Sequence, residues 1–256
     1  MIVPVARRPG VRPPTGSADG RSPVGAGGGS GVRGEIVCGM DTEQIRHALA
    51  DALSGRHLLT HPFYRRWEDG TLVDGELAAY AEQYRLIEQA LPVTLSAIVA
   101  GLPDGRGRGL VESNLADELG VPAPHAALFE SFAQAAGAAP AVAASPATAA
   151  LLTAVRAASS TNPAAALAMV AAYEVQAADI AASKADGLRR HYGMDATGTG
   201  FWDVHATQEV AHADWSIEAL AALDADPVAV HAAARIAADA WWDFLSEREA
   251  LAPAAA

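Results

Sequence analysis

Cysteine and lysine are almost missing from this chain of 256 residues: each occurs once, as Cys38 and Lys184. A single cysteine excludes an intrachain disulfide and a cysteine-rich structural zinc site, and it makes a reducing cytoplasm the natural compartment. Positive charge is scarce too, with 18 Lys plus Arg against 30 Asp plus Glu and a formal net charge of −12. That balance excludes the basic surface a nucleic acid needs. No window offers the roughly 20 unbroken apolar residues that span a bilayer. Strand-like alternation and internal repeats are also absent. What is abundant is alanine, which supplies much of the 51% hydrophobic content and favours helix over sheet.

Residues 1–39 differ from the rest in composition. They are rich in Gly, Pro, Ser and Arg, carry GAGGGSG at 25–31, and lack hydrophobic periodicity. No apolar segment follows Arg7-Arg8, so a targeting signal is rejected and a disordered leader is expected. Met40, directly before the helix start Asp41-Thr42-Glu43, is an alternative initiation site. From there to residue 252 the pattern predicts one all-α domain of about seven to nine helices. Expected helices are Asp41–Leu53, a short one at His61–Trp67, and a long one after Asp74-Gly75 that is interrupted near Pro92 and ends near Gly101. Further helices are expected at Leu110–Leu119, at His125–Ala136, and up to Ala158 after an Ala/Pro-rich stretch. Asn162-Pro163 marks the start of another long helix to His191, followed by 199–222 and by 227–249.

The chemistry centres on FWDVHATQEVAHADWSIEAL, residues 201–220. His205, Glu209 and His212 stand at i, i+4 and i+7, so a helix projects all three from one face. Two imidazoles and a carboxylate facing one way suit iron, manganese or zinc; the competing reading is two core histidines and a solvated glutamate. Two places could complete a site. Glu118 and His125 flank a Gly/Pro break, and Glu174 lies in AAALAMVAAYEVQAADIAA, where its neighbours are apolar all round. An unpaired buried carboxylate costs several kcal/mol, on the order of the penalties for buried charge, so Glu174 needs a cation or a salt partner. Three carboxylates and three histidines would suit two iron or manganese ions. Glu209-x-x-His212 matches the motif of di-metal bundles, but only once, which disfavours a ferritin-like protein.

HPFYRRWEDGTL, LAAYAEQY, NLADELGVPAPH, YEVQ with Lys184 ten residues after Glu174, and HATQEVAHA resemble the CADD-like proteins. These are haem-oxygenase-like di-iron oxidases related to the pyrroloquinoline-quinone synthase PqqC and the TenA thiaminases. The resemblance covers about residues 43–248 and implies a haem-oxygenase-like helical bundle. It also implies an oxygen-activating pair of metal ions (Fe/Fe or Fe/Mn), O2 as oxidant and an external reductant. By resemblance the ligands are Glu118, His125, Glu174, His205, Glu209 and His212, although the family usually has aspartate where Glu209 stands. The implied reaction makes para-aminobenzoate for folate at the protein's own expense. Tyr64 matches the ring donor and Lys184 the amino donor, Tyr80 and Tyr84 match further tyrosines near the site, and Arg85 replaces an aromatic residue.

Composition weighs separately on Lys184. All 17 other basic residues are arginine, yet only an amine can lose its proton and act as nitrogen donor. On a straight helix Lys184 lies about 15 Å along from Glu174 and roughly 80° around, so either the helix bends or the lysine works at the pocket's edge. Tyr64, beside Phe63 and Trp67, also fits a purely structural core role. His47, His57, His61, His191 and His231 read as surface or supporting residues. The competing functions are a di-iron oxygenase acting on an external small molecule, a metal-free PqqC-like or TenA-like enzyme, and an interaction protein with a degenerate site. The expected partners are small molecules and O2, with neither nucleic acid nor membrane. A homodimer through the Trp241-Trp242 helix is expected if those rings are exposed.

Overall fold

In the computed structural model of the chain, residues 41–120 and 124–251 are described. The leader and the Met40 start lie outside them. The described residues form nine α-helices and one 3₁₀ turn, with no strand. The helices are α1 Thr42–Ala52, α2 Pro62–Glu68, α3 Glu76–Gly101, α4 Arg106–Glu118, α5 His125–Ala135, α6 Pro146–Thr161, α7 Pro163–His191, α8 Ala196–Ala222 and α9 Pro227–Ala250.

Local chemistry explains the boundaries. Asp41 and Asn162 accept backbone N–H groups at the starts of α1 and α7, as Asp195 and Asp226 do for α8 and α9. Proline occupies the first turn of α2, α6, α7 and α9, where its missing N–H costs nothing. His61, expected at the surface or in support of the site, is buried instead. Its Nδ1 accepts the Phe63 N–H to cap α2, and burial lowers its pKa to about 4. The expected interruption at Pro92 does not occur, since α3 runs unbroken through it. Pro92 has no N–H for the Glu88 carbonyl four residues back, so the helix is one hydrogen bond short there but continues on both sides.

Two apolar regions fill the interior. One is alanine- and leucine-rich, built from α1, the end of α3, the first half of α7, the second half of α8 and the first half of α9. The other is aromatic, built from α2, the start of α3, α5, the second half of α7, the start of α8 and the end of α9. α3, α7 and α8 each pass from one region to the other. Their crossing points carry Glu88, Glu174 and His205–His212, so the polar groups occupy the layer between the two cores. α7 is long and apolar enough to cross a membrane by length and composition, but most of its surface is buried among α8, α9 and α6. Trp241 is likewise buried, stacked on Tyr173 with ring centroids 4.4 Å apart. It is not an exposed dimer contact, whatever the chain's oligomeric state.

Candidate metal centre

α4, α5, α7 and α8 bring Glu118, His125, Glu174, His205, Glu209 and His212 to one place, all buried. Glu118 is shared by two overlapping groups. In the first, ligand atoms of Glu88, Glu118, His125 and His205 all lie within 4.8 Å of one another; in the second, those of Glu118, Glu209 and His212 do. Glu118 Oε2 approaches His125 Nδ1 at 2.9 Å, yet neither atom has a hydrogen bond, so they meet without the required angle. His212 Nδ1 stands 3.6 Å from Glu118 Oε1 and 3.7 Å from Glu209 Oε2, and His205 Nε2 is 3.7 Å from Glu209 Oε1. Glu174 stands at the same cavity, where one carboxylate oxygen accepts from Asn114 Nδ2 at 2.7 Å and the other is unpartnered.

Each histidine is held by the nitrogen that faces away from the cluster. His205 Nδ1 donates to the Phe201 carbonyl at 2.8 Å, His125 Nε2 lies 3.0 Å from Gln208 Oε1, and His212 Nε2 lies 3.4 Å from Asp117 Oδ2. In the neutral tautomer that protonates this nitrogen, the other ring nitrogen is bare and aims inward. Such an outer oxygen on every imidazole is the usual support of metal-ligating histidines. Orphaned oxygens of Glu88, Glu118, Glu174 and Glu209 sit buried around the same point. Left unpaired, such groups are costly, and a pair of divalent cations would satisfy them. The donor set therefore fits iron or manganese ions.

Sequence reasoning missed Glu88, Asn114, Asp117 and Gln208. Glu88 had a local signal: it follows Tyr80 and Tyr84 at helical spacing along the inner face of α3. Its side chain is only 4% exposed and one oxygen has no partner. The other three support ligands from neighbouring turns, which sequence spacing does not reveal. Electrostatics reflect the crowding. Burial, then Glu209, pushes Glu174 up to about 7, while burial and neighbouring carboxylates raise Glu88 well above the usual range. Burial, then His125, lowers His205 to about 3. Burial also opposes charge on His212, but Glu209, Glu174 and Glu118 outweigh it and hold that group near 9.

The lysine and the tyrosines form an adjoining aromatic chamber. Lys184 is 1% exposed, and its Nζ donates to the Tyr80 hydroxyl at 2.6 Å. The same nitrogen lies 4.0 Å from the centroid of the Trp202 ring and 4.5 Å from that of Tyr64. The Tyr64 and Tyr80 hydroxyls are 3.0 Å apart. Burial drives the Lys184 amine well below its ordinary range, opposed by Glu88. Gly187, one turn beyond, lets α2 come this close, because a Cβ there would meet Trp67 Cδ1 at 2.9 Å and the Trp67 carbonyl at 3.1 Å. Lys184 is thus not at the edge of the cavity but one ring away from it. Tyr84 both lines the cavity and lies 5.0 Å from Nζ. Arg85 turns elsewhere, pairing with Glu130 at 2.7 Å to tie α3 to α5.

A cavity of about 270 Å³ leads to the metal-type residues. Glu88, Glu118, Glu174, His205 and Glu209 form its buried end, and the exposed residues Val93, Ala97 and Arg156 mark its mouth.

An all-α bundle with a buried His/Glu cluster between its two cores defines a helical protein with a candidate metal centre. The chain belongs to the family described as iron-containing redox enzymes, whose profile matches residues 78–242, and it is an oxidoreductase. It is 38% identical to the 4-aminobenzoate synthase of Nitrosomonas europaea over 80% of this chain and 91% of that protein. The Chlamydia pneumoniae protein of the same name is 31% identical over 76% of this chain and 90% of its own length. Among solved structures, a TenA homologue from Pseudomonas syringae aligns with a TM-score of 0.69 at 17% identity, covering 87% of this chain and 98% of its own. A CADD-like protein from Nostoc punctiforme aligns with a TM-score of 0.68 at 16% identity, covering 82% and 98%. Those two likenesses show the shared fold.

Proposed function

We propose that the protein is an oxygen-dependent 4-aminobenzoate synthase of the cytoplasm that consumes its own side chains, taking the ring from Tyr64 and the nitrogen from Lys184. The observation that carries this reading is the position of the one lysine, buried with its amine against the Tyr64 and Tyr80 rings. Tyrosine has the right skeleton. Its ring and Cβ contain every carbon of 4-aminobenzoate, and Cβ and the phenol oxygen are para, as carboxylate and amine are in the product. The conversion requires scission of the Tyr64 Cα–Cβ bond, oxidation of Cβ to a carboxylate, loss of the phenol oxygen as water as the Lys184 nitrogen takes its ring position, and scission of the Lys184 Cε–Nζ bond to free the amine.

Glu118, His125, Glu174, His205, Glu209 and His212, with Glu88 beside them, would hold two iron ions or an iron–manganese pair. When bound, that pair would supply oxidising equivalents drawn from O2, with an external reductant completing the electron balance. The chain's own residues prepare the reactants. Burial favours the uncharged, nucleophilic form of the Lys184 amine, against the pull of Glu88, and favours the protonated form of the Tyr64 phenol. The Tyr80 hydroxyl, within hydrogen-bond reach of both, can pass a proton between them. The stacked Tyr80 and Tyr84 rings, 5.5 Å apart, link this chamber to the cavity wall.

The test is anaerobic loading with ferrous ion, with or without manganese, followed by O2 and reductant, product identification and peptide mapping. The expected result is 4-aminobenzoate together with a peptide altered at residue 64. Released product alongside intact Tyr64 would refute self-sacrifice. Loss at Tyr80 would move the ring source one helix away.

A second reading, an oxygenase acting on an external small molecule, is favoured by one observation. The cavity opens from the surface directly to the cluster, and Tyr64 does not line it. In that case Tyr64→Phe would remain active.

A further inference from the structure

Arg156 on α6 stands apart from the other arginines. Among the described residues it is the one arginine with no ion pair, and its guanidinium makes no hydrogen bond. In a chain this acidic, an exposed guanidinium without a carboxylate partner is an available anion contact. Its position gives that availability a use, because Arg156 sits at the mouth of the cavity that ends at the carboxylate and imidazole cluster.

The passage between the two ends is apolar, walled by Leu91 of α3, Leu151 and Val155 of α6 and Met169 of α7. Towards the base, Tyr173 and Trp241 present stacked rings, a flat surface suited to an aromatic body. Charge then fixes orientation. The base is lined by the carboxyl and imidazole groups of the cluster, whereas Arg156 at the mouth, beside the Thr94 hydroxyl, is the one arginine or lysine among the lining residues. A ligand that satisfies both ends is acidic at one end, uncharged at the other, and apolar between.

We propose that this cavity is a binding site for a small aromatic monocarboxylate, its carboxylate on Arg156 and its uncharged end directed at the cluster. An acid of this kind can come from two sources: from within, as the enzyme's product on its way out, or from solution, as an external substrate. Its assignment to the product rests on the synthase reading above. The site itself does not.

Calorimetric titration of the full-length protein, metal-free and iron-loaded under anaerobic conditions, tests the proposal with 4-aminobenzoate, its neutral analogue 4-aminobenzamide, and octanoate. The expected result is one 4-aminobenzoate per chain, bound at least tenfold more weakly by Arg156→Gln, with partial recovery in Arg156→Lys. The amide should bind wild type about as poorly as the acid binds Arg156→Gln, because each lacks one member of the same charged pair. Val155→Phe, which narrows the passage without touching the guanidinium, should also weaken binding. Tighter binding of 4-aminobenzoate than of octanoate supports an aromatic occupant, and the reverse order overturns it. Equal affinity of wild type and Arg156→Gln for 4-aminobenzoate, or no binding of either acid, overturns the site. Failure of the wild-type enzyme to make 4-aminobenzoate would remove the synthase reading and leave these affinities unaffected.

Discussion

Lys184 holds its amine among five aromatic rings, each centroid within 5.7 Å, where a proton is costly to keep. Its pKa is lowered in the folded protein, so the unfolded chain binds an extra proton between the depressed value and the ordinary lysine value. The folded state therefore loses stability as pH falls from about 10.4 towards the depressed value. Lys184→Met is expected to raise the melting temperature at pH 7, by about 2–4 °C for each kcal/mol recovered in a chain this size. That gain should shrink as pH rises towards 10. The same variant, and Lys184→Arg, should retain iron by metal analysis yet form no 4-aminobenzoate. A stabilised but inactive protein separates a chemical role from a structural one. Glu88 gives a parallel expectation at the neighbouring site. Glu88→Gln should stabilise the metal-free protein at pH 8 and weaken ferrous retention roughly 10- to 100-fold, the range found when groups around a metal site are altered. Unchanged retention in equilibrium dialysis would remove Glu88 from the ligand set.

α7 is the element on which both sites depend, since one helix delivers Glu174 to the cavity and Lys184 to the aromatic chamber. Its start was legible in Asn162-Pro163, and Asn162 does accept the Ala165 N–H at 3.1 Å. Asn162→Ala is expected to cost about 1 kcal/mol, measured as a shift in the denaturation midpoint, with activity per folded molecule unchanged. Gly187→Ala belongs to the same helix and should behave differently. The new Cβ pushes against Trp67 and its carbonyl, costing about 1–3 kcal/mol as overpacking does. Because Trp67 borders the lysine chamber, product yield should fall while bound iron stays constant. α3 shows where element-level reading fails. Pro92 suggested a break, but packing along both flanks carries the helix through.

Across the whole molecule the buried cluster couples metal binding to protons. Glu174 titrates near 7 and His212 near 9 in the metal-free protein, each for the reasons of burial and neighbouring charge given above. A ligand must shed its proton to bind a cation, so affinity for ferrous ion should rise with pH through about 7 and again towards about 9. Each displaced proton contributes up to about tenfold per pH unit. Titration at pH 6, 7.5 and 9 checks this; a flat profile would separate these two groups from the metal. Ferrous loading should raise the melting temperature, more at pH 8 than at pH 6, and chelation should reverse the rise.

The helical class, most helix starts and one face of the cluster were readable because they depend on local chemistry. Capping side chains, proline in first turns and the i, i+4, i+7 spacing of His205, Glu209 and His212 act within a few residues. Lys184 stood out by rarity in a chain otherwise using arginine, before any geometry was known. Its enclosure was not readable, because rings from α2, α3 and α8 converge on it, those of α2 and α3 from a hundred or more positions away in the sequence. The convergence of α3, α4, α5, α7 and α8 on one buried layer, with Glu88 among its carboxylates and Arg156 at the mouth of the passage, was decided only in three dimensions. Helical periodicity states which side a residue faces, whereas the partner met on that side is set by how distant helices pack.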